Sequence, residues 1–415
     1  LGSVLKAIES GRSFQTLERA PAGDELGVLK VSAVSWKSFN PNEAKAVIGH
    51  TPSEHHRVRK GDILISRANT RDLVGSVVHV DKDYPNRLLS DKTLRLIVDE
   101  DRINPEFLVL ALWASDARTH IESFATGTSD SMRNIGQSVI RSVPIPFMPI
   151  EEQRHIATRV HAQLASAETA RFAAEAQIKE IELLPRMILA NAFGTGLCAA
   201  RNPTPISINP SDMDAPSGWN WFEIKNLARL ESGHTPSRSR PDWWGGDVSW
   251  ISLTEIRLLD GRWTEETRIK TNADGIAHSA ARILPRGTVC LSRTASVGFV
   301  TIMANPMATS QDFANWVCGD ALDPEFLMYA LICSREHLRS LATGATHKTI
   351  YMPTLEQFRI CAPPRPEQER IVRRLRDQLA VAESARLAAE AQLREIQLLP
   401  ERILATAFGD GERAA

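Results

Sequence analysis

This 415-residue chain has few cysteines, almost no net charge, and no long apolar run. Its five cysteines (Cys198, Cys290, Cys318, Cys333, Cys361) form no C-x-x-C pair and no zinc-like spacing, so free thiols in a reducing cytoplasm are the simple reading. No run of about 18 apolar residues occurs, so no membrane-spanning helix is expected. Leu1-Gly2-Ser3 lacks the basic-then-apolar pattern of a secretory leader. The absence of an initiator Met places the expected natural start upstream. No P-loop, G-x-G-x-x-G or H-E-x-x-H motif is present, and His55 and His56 have no ligand partners in sequence, so neither cofactor nor metal is expected. A net charge of −1 gives no global electrostatic footprint for nucleic acid. The reading that remains is a recognition protein, not an enzyme.

What is present is a helical segment written twice. Residues 152–194 and 367–409 align without a gap at an offset of 215, and about 27 of the 43 positions are identical, far beyond shared helical composition. In the first copy the apolar positions are Ala157, Val160, Leu164, Ala167, Ala174, Ile178 and Ile181. In the second they are Val372, Leu375, Leu379, Ala382, Ala389, Leu393 and Ile396. Spacings of three and four make this a coiled-coil seam. Arg171 and Arg386 interrupt it at equivalent positions, with acids three and four residues away to hold each arginine along its own helix. The alanine-rich centre suits two helices packed closely, and an antiparallel pair would relate the halves by a pseudo-twofold axis. The 33 residues up to Leu184 give a rod of roughly 50 Å. Pro185 and Pro400 are expected to interrupt it, ahead of short amphipathic ends closed by Gly194 and Gly409.

Each copy follows a different globular stretch, and the two stretches match in ordered patches. Glu9-Ser10-Gly11 parallels Glu231-Ser232-Gly233, and Ile65-Ser66-Arg67 parallels Leu291-Ser292-Arg293. Asn104-Pro105-Glu106-Phe107-Leu108 parallels Asp323-Pro324-Glu325-Phe326-Leu327, and Ala125-Thr126-Gly127 parallels Ala342-Thr343-Gly344. Residues 62–66 and 289–292 read as buried strands, and 105–115 and 324–334 as helices opened by proline. The fold class is therefore α+β, with one fold used twice. The expected domains are 1–150, a helix over 151–194, a Pro/Asn/Ser-rich linker over 195–216, a second domain over 217–364 and a second helix over 365–409. The second unit opens with Trp219 and Trp221 without a counterpart ahead of Leu1, so a first strand is expected upstream in unit one.

Asn104-Pro105-Glu106-Phe107 and its copy resemble the Asp/Asn-Pro-Pro-Tyr/Phe loop of adenine methyltransferases. Glutamate stands at the second proline and no glycine-rich loop precedes either copy, so helix capping is the preferred reading.

Along essentially its whole length the chain resembles the DNA-specificity subunit of type I restriction–modification systems. The resemblance rests on Pro144-Ile145-Pro146 through Pro149-Ile150-Glu151-Glu152-Gln153 and its copy Pro363-Pro364 with Pro366-Glu367-Gln368. It rests also on Ser232-Gly233-His234-Thr235-Pro236-Ser237 followed by Gly245-Gly246-Asp247-Val248 and Trp250-Ile251. The first half departs by carrying Ser13-Phe14 where Thr235-Pro236 stand in the second. The resemblance implies two target-recognition domains joined by two long antiparallel helices. Each domain would read half of a bipartite, asymmetric DNA target, and the helices would set the spacing. It implies partner methyltransferase subunits using S-adenosylmethionine and a separate translocase–nuclease, with no cofactor in this chain. Basic clusters with loop polar groups select Arg67, Asn69, Arg71, Arg133 and Asn134 in the first domain as DNA contacts. In the second they select Ser237, Arg238, Arg240, Arg293, His347 and Lys348. Outward helix residues Arg154, Glu180 and Glu395 are candidates for the partner face. The rival reading is a non-catalytic coiled-coil scaffold that binds proteins rather than DNA.

Overall fold

The computed structural model describes residues 1–35, 37–49, 53–130, 132–194, 204–209 and 215–409. The chain divides into two compact units, Leu1–Ala176 with Glu390–Ala415 and Gln177–Ala389. The division cuts both long helices, Ile150–Gly194 and Arg365–Phe408, so each unit contains half of each.

In unit 1 a four-stranded antiparallel sheet has the order Leu5–Ser10, Thr93–Val98, Ile63–Ser66, Val77–His79. All four residues of Ile63–Ser66 are buried: three apolar residues in a sheet centre, and Ser66, whose Oγ donates to Leu73 O at 3.0 Å. A second four-stranded sheet joins Ala44–Ala46, Gly27–Leu29, Tyr84–Leu88 and Arg57–Val58. A small third sheet joins Thr126–Ser129, Met132–Asn134 and Ala68–Asn69. In unit 2 the five-stranded sheet runs Ala228–Ser232, Phe313–Cys318, Val289–Ser292, Val300–Met303, Trp263–Thr264. Its first three pairings repeat those of unit 1: Glu9 faces Arg95 as Glu231 faces Asn315.

The same local devices recur. Helix Pro105–Trp113 is opened by Asn104, whose Oδ1 accepts from Phe107 N at 2.9 Å. Helix Pro324–Cys333 is opened by Asp323, which accepts from Glu325 N and Phe326 N at 2.9 and 3.0 Å. Capping is what these Pro-containing motifs do. Gly11 and Gly233 lie so close to a neighbouring loop that a Cβ would stand 2.3 Å from Leu89 O and 2.1 Å from Ser310 O respectively, which only glycine permits.

A buried glutamine fastens each long helix to its unit. Gln153 Oε1 accepts from Asn104 N at 2.9 Å, while its Nε2 donates to Arg102 O and Met148 O at 3.0 and 2.8 Å. Gln368 repeats the pattern on Asp323 N, Ala321 O and Pro363 O at 2.9, 3.1 and 2.9 Å. The two glutamines of the matched motifs thus do one job.

The helices do not stop at their prolines, contrary to the expectation from sequence. Helix one runs 45 residues through Pro185 and helix two 44 residues through Pro400, about 67 Å each rather than 50. The reason lies beyond each proline. Leu189, Ala192 and Phe193 are buried in the core of unit 2, and Leu404 and Phe408 in that of unit 1. Phe193 meets Phe326 with ring centroids 5.3 Å apart and 58° between planes; Phe408 meets Phe107 at 5.3 Å and 56°. Burying a Leu and a Phe, at about 1.5–3 kcal/mol each, outweighs the ~3 kcal/mol cost of an interior proline.

Within each unit the two helices run antiparallel. In unit 1, Ile156, Ala157 and Val160 lie with Leu404 and Phe408, and further along Ala167 and Ala170 face Leu399 and Ile403. In unit 2, Leu189 and Phe193 lie with Ile371, Val372 and Leu375, and Leu184 and Ile188 face Val381 and Ala385. Of the seam positions, Val160, Ala167, Ala174, Leu375, Ala382 and Ala389 are buried. Leu164, Ile178, Ile181, Leu379, Leu393 and Ile396 are half-buried. Arg171 folds back onto Glu168 and Glu175 at 2.7 and 2.6 Å, and Arg386 onto Glu383 at 2.7 Å.

Most of the stretch read as a linker, 195–203 and 210–214, lies outside the described residues, as does Cys198. Within it, however, Ile206–Ser207 forms a strand against Arg359–Ala362, with Ile206 fully buried. Among the described residues no helix is long and apolar enough to cross a membrane.

Candidate nucleic-acid interface

In unit 1 the backbone gathers all five selected residues. Arg67 follows the central strand; its N–H donates to Lys92 O and its C=O accepts from Ile135 N, both at 2.9 Å. That carries the hairpin 126–134 to the strand end, where Arg133 pairs with Asn69 and Asn134 with Ala68. Arg71 N–H donates to Asp130 O at 3.1 Å and closes the group. Gly127, at φ 151°, makes the hairpin possible, since a Cβ there would lie 2.4 Å from Met132 O.

The side chains differ in how free they are. Arg67 is exposed and has no partner among the described residues. Asn69 Nδ2 donates to Ser35 Oγ at 3.0 Å and its Oδ1 accepts from Thr70 N at 2.9 Å. Arg133 donates to Asp130 at 2.6 Å and to Gly127 O at 3.3 Å. The Asp130 carboxyl is held below its usual range first by its bond to Arg133 and also by Arg71 nearby. Arg57 and Arg59, from the same basic stretch, lie 2.8 and 3.9 Å from Glu54.

In unit 2 the same frame holds different chemistry. Arg293 N–H donates to Asp312 O and its C=O accepts from Ile350 N, both at 2.8 Å, which repeats the Arg67 arrangement. The loop between Thr343 and Thr349 docks on Thr294 and Ala295, with Ala295 N donating to Lys348 O at 2.9 Å. His347 and Lys348 are exposed at its tip. The Arg293 guanidinium, unlike that of Arg67, is turned inward. It donates to Gln311 O at 2.8 Å and Ile350 O at 3.4 Å, and burial lowers its pKa. The Gln311 side chain is bonded to Thr235 Oγ1, which brings in the segment carrying Ser237, Arg238 and Arg240. Ser237 Oγ meets Ser239 Oγ at 2.8 Å. Arg240 makes a two-pronged bond to Asp242 at 2.9 and 2.6 Å and lies over Trp243 at 4.8 Å. Arg238 lies over Trp244 at 4.1 Å and Trp250 at 5.2 Å.

Sequence reasoning passed over the aromatic part of this surface. Trp243 stacks on His278 at 5.8 Å and 15°, and Trp244 meets Trp250 edge-on at 5.0 Å and 83°. The signal was present: two adjacent tryptophans three and four residues after Arg240, beside the Arg238–Arg240 cluster. Of the proposed partner-face residues, Arg154 pairs with Glu151 at 2.5 Å, Glu395 pairs with Arg402 at 3.0 Å, and Glu180 is exposed. Burial pushes the thiols of half-buried Cys318 and Cys333 and of buried Cys361 up to about 12, which keeps them protonated at neutral pH.

Residues 216–388 match the family model described as "Type I restriction modification DNA specificity domain". This part of the chain belongs to that specificity-domain family. The chain as a whole resembles type I specificity subunits. It is 28% identical over 158 residues to the MjaIX specificity subunit of Methanocaldococcus jannaschii, a match covering 38% of this chain and only 37% of that relative. It is 21% identical over 341 residues to the HindI specificity subunit of Haemophilus influenzae, covering 70% and 73%. The HsdS subunit from Thermoanaerobacter tengcongensis shares its fold, with TM-score 0.67, 20% identity and coverage of 99% and 95%. A chain from a structural study of type I R-M complex assembly and conformational transition gives TM-score 0.70, 20% identity and coverage of 98% and 95%. The relatives are specificity subunits of type I restriction enzymes, and the shared fold extends over both globular units and both long helices.

Proposed function

We propose that this chain is a DNA-reading subunit that directs partner methyltransferase subunits to a bipartite, asymmetric target, one half read by each unit. The observation that carries this reading is the convergence at the end of each central strand. An arginine, a glycine-dependent hairpin and a polar loop, far apart in sequence, are held together by the same backbone bonds while the exposed side chains differ. A conserved frame with independent surfaces suits two unlike half-sites. The guanidinium, amide and hydroxyl groups there match the hydrogen-bonding edges of bases and phosphates. The near-neutral charge is compatible with partners that supply part of the phosphate grip.

The long helices are proposed to set the spacing between half-sites, since two major-groove readers on one face of B-DNA belong about 34–36 Å apart. Each copy of the repeat leaves large apolar side chains exposed at the same places, Phe172 and Leu387, then Leu183 and Leu398, which supports docking of partner proteins. S-adenosylmethionine would be bound by the methyltransferase partner, and any nuclease would be a further subunit.

The test is the genome-wide methylation pattern of cells carrying this chain with its methyltransferase, beside cells lacking this chain alone. Loss of N6-methyladenine at one bipartite motif is the expected result. An unchanged pattern under confirmed expression would favour the protein-binding scaffold. Four residues inserted into one long helix should then change the number of bases between the half-sites while leaving both half-sites intact.

A further inference from the structure

We infer that Arg238, cradled by Trp244 and Trp250, forms a guanine-reading site in unit 2; the assignment rests on the DNA-reading role proposed above. The arginines of this surface are not equivalent. Arg240 is neutralised by Asp242. Arg293 donates to two backbone carbonyls. Arg238 has neither an acidic partner nor a carbonyl among the described residues; its contacts are the two ring faces, at 4.1 and 5.2 Å.

The rings are themselves fixed. Trp250 is 2% exposed, lies in the strand Trp244–Ile251, and its Nε1 donates to His234 O at 3.1 Å. Trp244 stands nearly perpendicular to it, and its Nε1 donates to Ser237 O at 3.2 Å, which ties the ring to the residue just before Arg238. A guanidinium packed by its face keeps its N–H donors along the edge of its plane, so stacking holds the group without using its hydrogen bonds. A stacked arginine with free donors is poised for a ligand with two acceptors side by side.

Among the bases only guanine presents such a pair in the major groove, O6 and N7. Adenine and cytosine place an amino donor there, and thymine offers a single oxygen. A phosphate also offers two acceptors, but a phosphate clamp carries no sequence information, and that difference decides the test.

The experiment uses the complete assembly of this chain with its methyltransferase. The motif methylated by the wild type is compared with those of Arg238→Ala, Trp244→Phe and Trp244→Leu. Binding is then measured on the wild-type target with each guanine in turn replaced by 7-deazaguanine, which lacks N7. Arg238→Ala, which removes every donor, is expected to lose the requirement for guanine at one position of one half-site and to keep every other position. 7-Deazaguanine there should weaken wild-type binding by about tenfold and the Arg238→Ala assembly by much less. Trp244→Phe should keep the wild-type motif, while Trp244→Leu should relax the same position, as a positioning residue requires. A uniform loss of methylation at all sites in Arg238→Ala, without altered preference, would make Arg238 a phosphate clamp and overturn the assignment. An unchanged motif would overturn it as well, leaving the DNA-reading role intact. A wild-type assembly with no discrete motif would remove that role and this site with it.

Discussion

Arg67 and Arg293 occupy one place in two copies of a fold, yet one guanidinium faces solvent and the other faces protein. Their backbones make the same two hydrogen bonds. In unit 1 the side chain has no partner among the described residues, whereas in unit 2 Gln311 O and Ile350 O take it inward. A second pair tells the same story from the interior. Glu9 faces Arg95, which is 5% exposed and also bonds Asp62 at 2.8 Å; Glu231 faces Asn315, and turns to surface Arg229 and Arg282 instead. The frame is set by strand register, capped helices and the glutamine latch. Polar chemistry is free to differ wherever the frame does not need it, so function must be read from side-chain partners and not from alignment.

The interior pair gives the largest predicted effect. Arg95→Ala would leave Glu9 and Asp62 beside an empty buried site and should destabilise unit 1 by about 3–5 kcal/mol. Asn315→Ala removes one neutral side-chain bond, to Thr309 at 2.8 Å, and should cost unit 2 about 1–2 kcal/mol. Hydrogen exchange followed unit by unit distinguishes them. Equal losses would mean that the two cores rely on the same contacts.

The latch sharpens the comparison from the other side, because here the units are alike. Gln153→Leu and Gln368→Leu each strand an amide N–H and two carbonyls, and each should cost about 2–4 kcal/mol. Exchange protection should fall first at 102–107 in one case and at 321–326 in the other. A difference of more than about 1 kcal/mol between them would show that the latches are not equivalent.

Much of the frame is legible in the sequence. The doubled helix, the buried strands at 62–66 and 289–292, both proline-opened helices and the α+β class follow from periodicity and capping chemistry. The passage of each helix through its proline does not follow from the sequence, because what offsets it is the burial of Phe193 and Phe408 in cores built by distant residues. Nor does the strand at Ile206–Ser207, whose partner strand Arg359–Ala362 lies about 150 residues later. At the candidate interface, residue type located the basic segments. It could not separate a free Arg67 from an occupied Arg293, since the occupying carbonyls come from 18 and 57 residues away. The tryptophan cradle likewise exists only once the strand places Trp250 under Arg238.

That separation is itself testable. Arg67→Ala should weaken binding of target DNA about tenfold and leave stability within about 0.5 kcal/mol. Arg293→Ala should lower the stability of unit 2 by about 1–2 kcal/mol and affect DNA mainly by loosening the 343–349 loop. If both substitutions acted on DNA alone, the inward turn of Arg293 would carry no structural role.

The smallest expected difference concerns mild acid. In unit 2, His337 is half-buried, its Nε2 has no partner among the described residues, and burial lowers its pKa from the ordinary 6.5. The sign follows from which state takes the proton first. Below pH 6.5 the unfolded chain binds it while the folded histidine still resists. Stability present above pH 6.5 is therefore lost as pH falls toward the folded value. Unit 2 should lose exchange protection around 335–340 between about pH 7 and 5, and His337→Gln, which cannot take the proton, should flatten that slope. If the slope is the same in the variant, His337 is not its source. Removing the slope without changing the methylation motif would place this titration in the frame of unit 2, apart from the face that reads DNA.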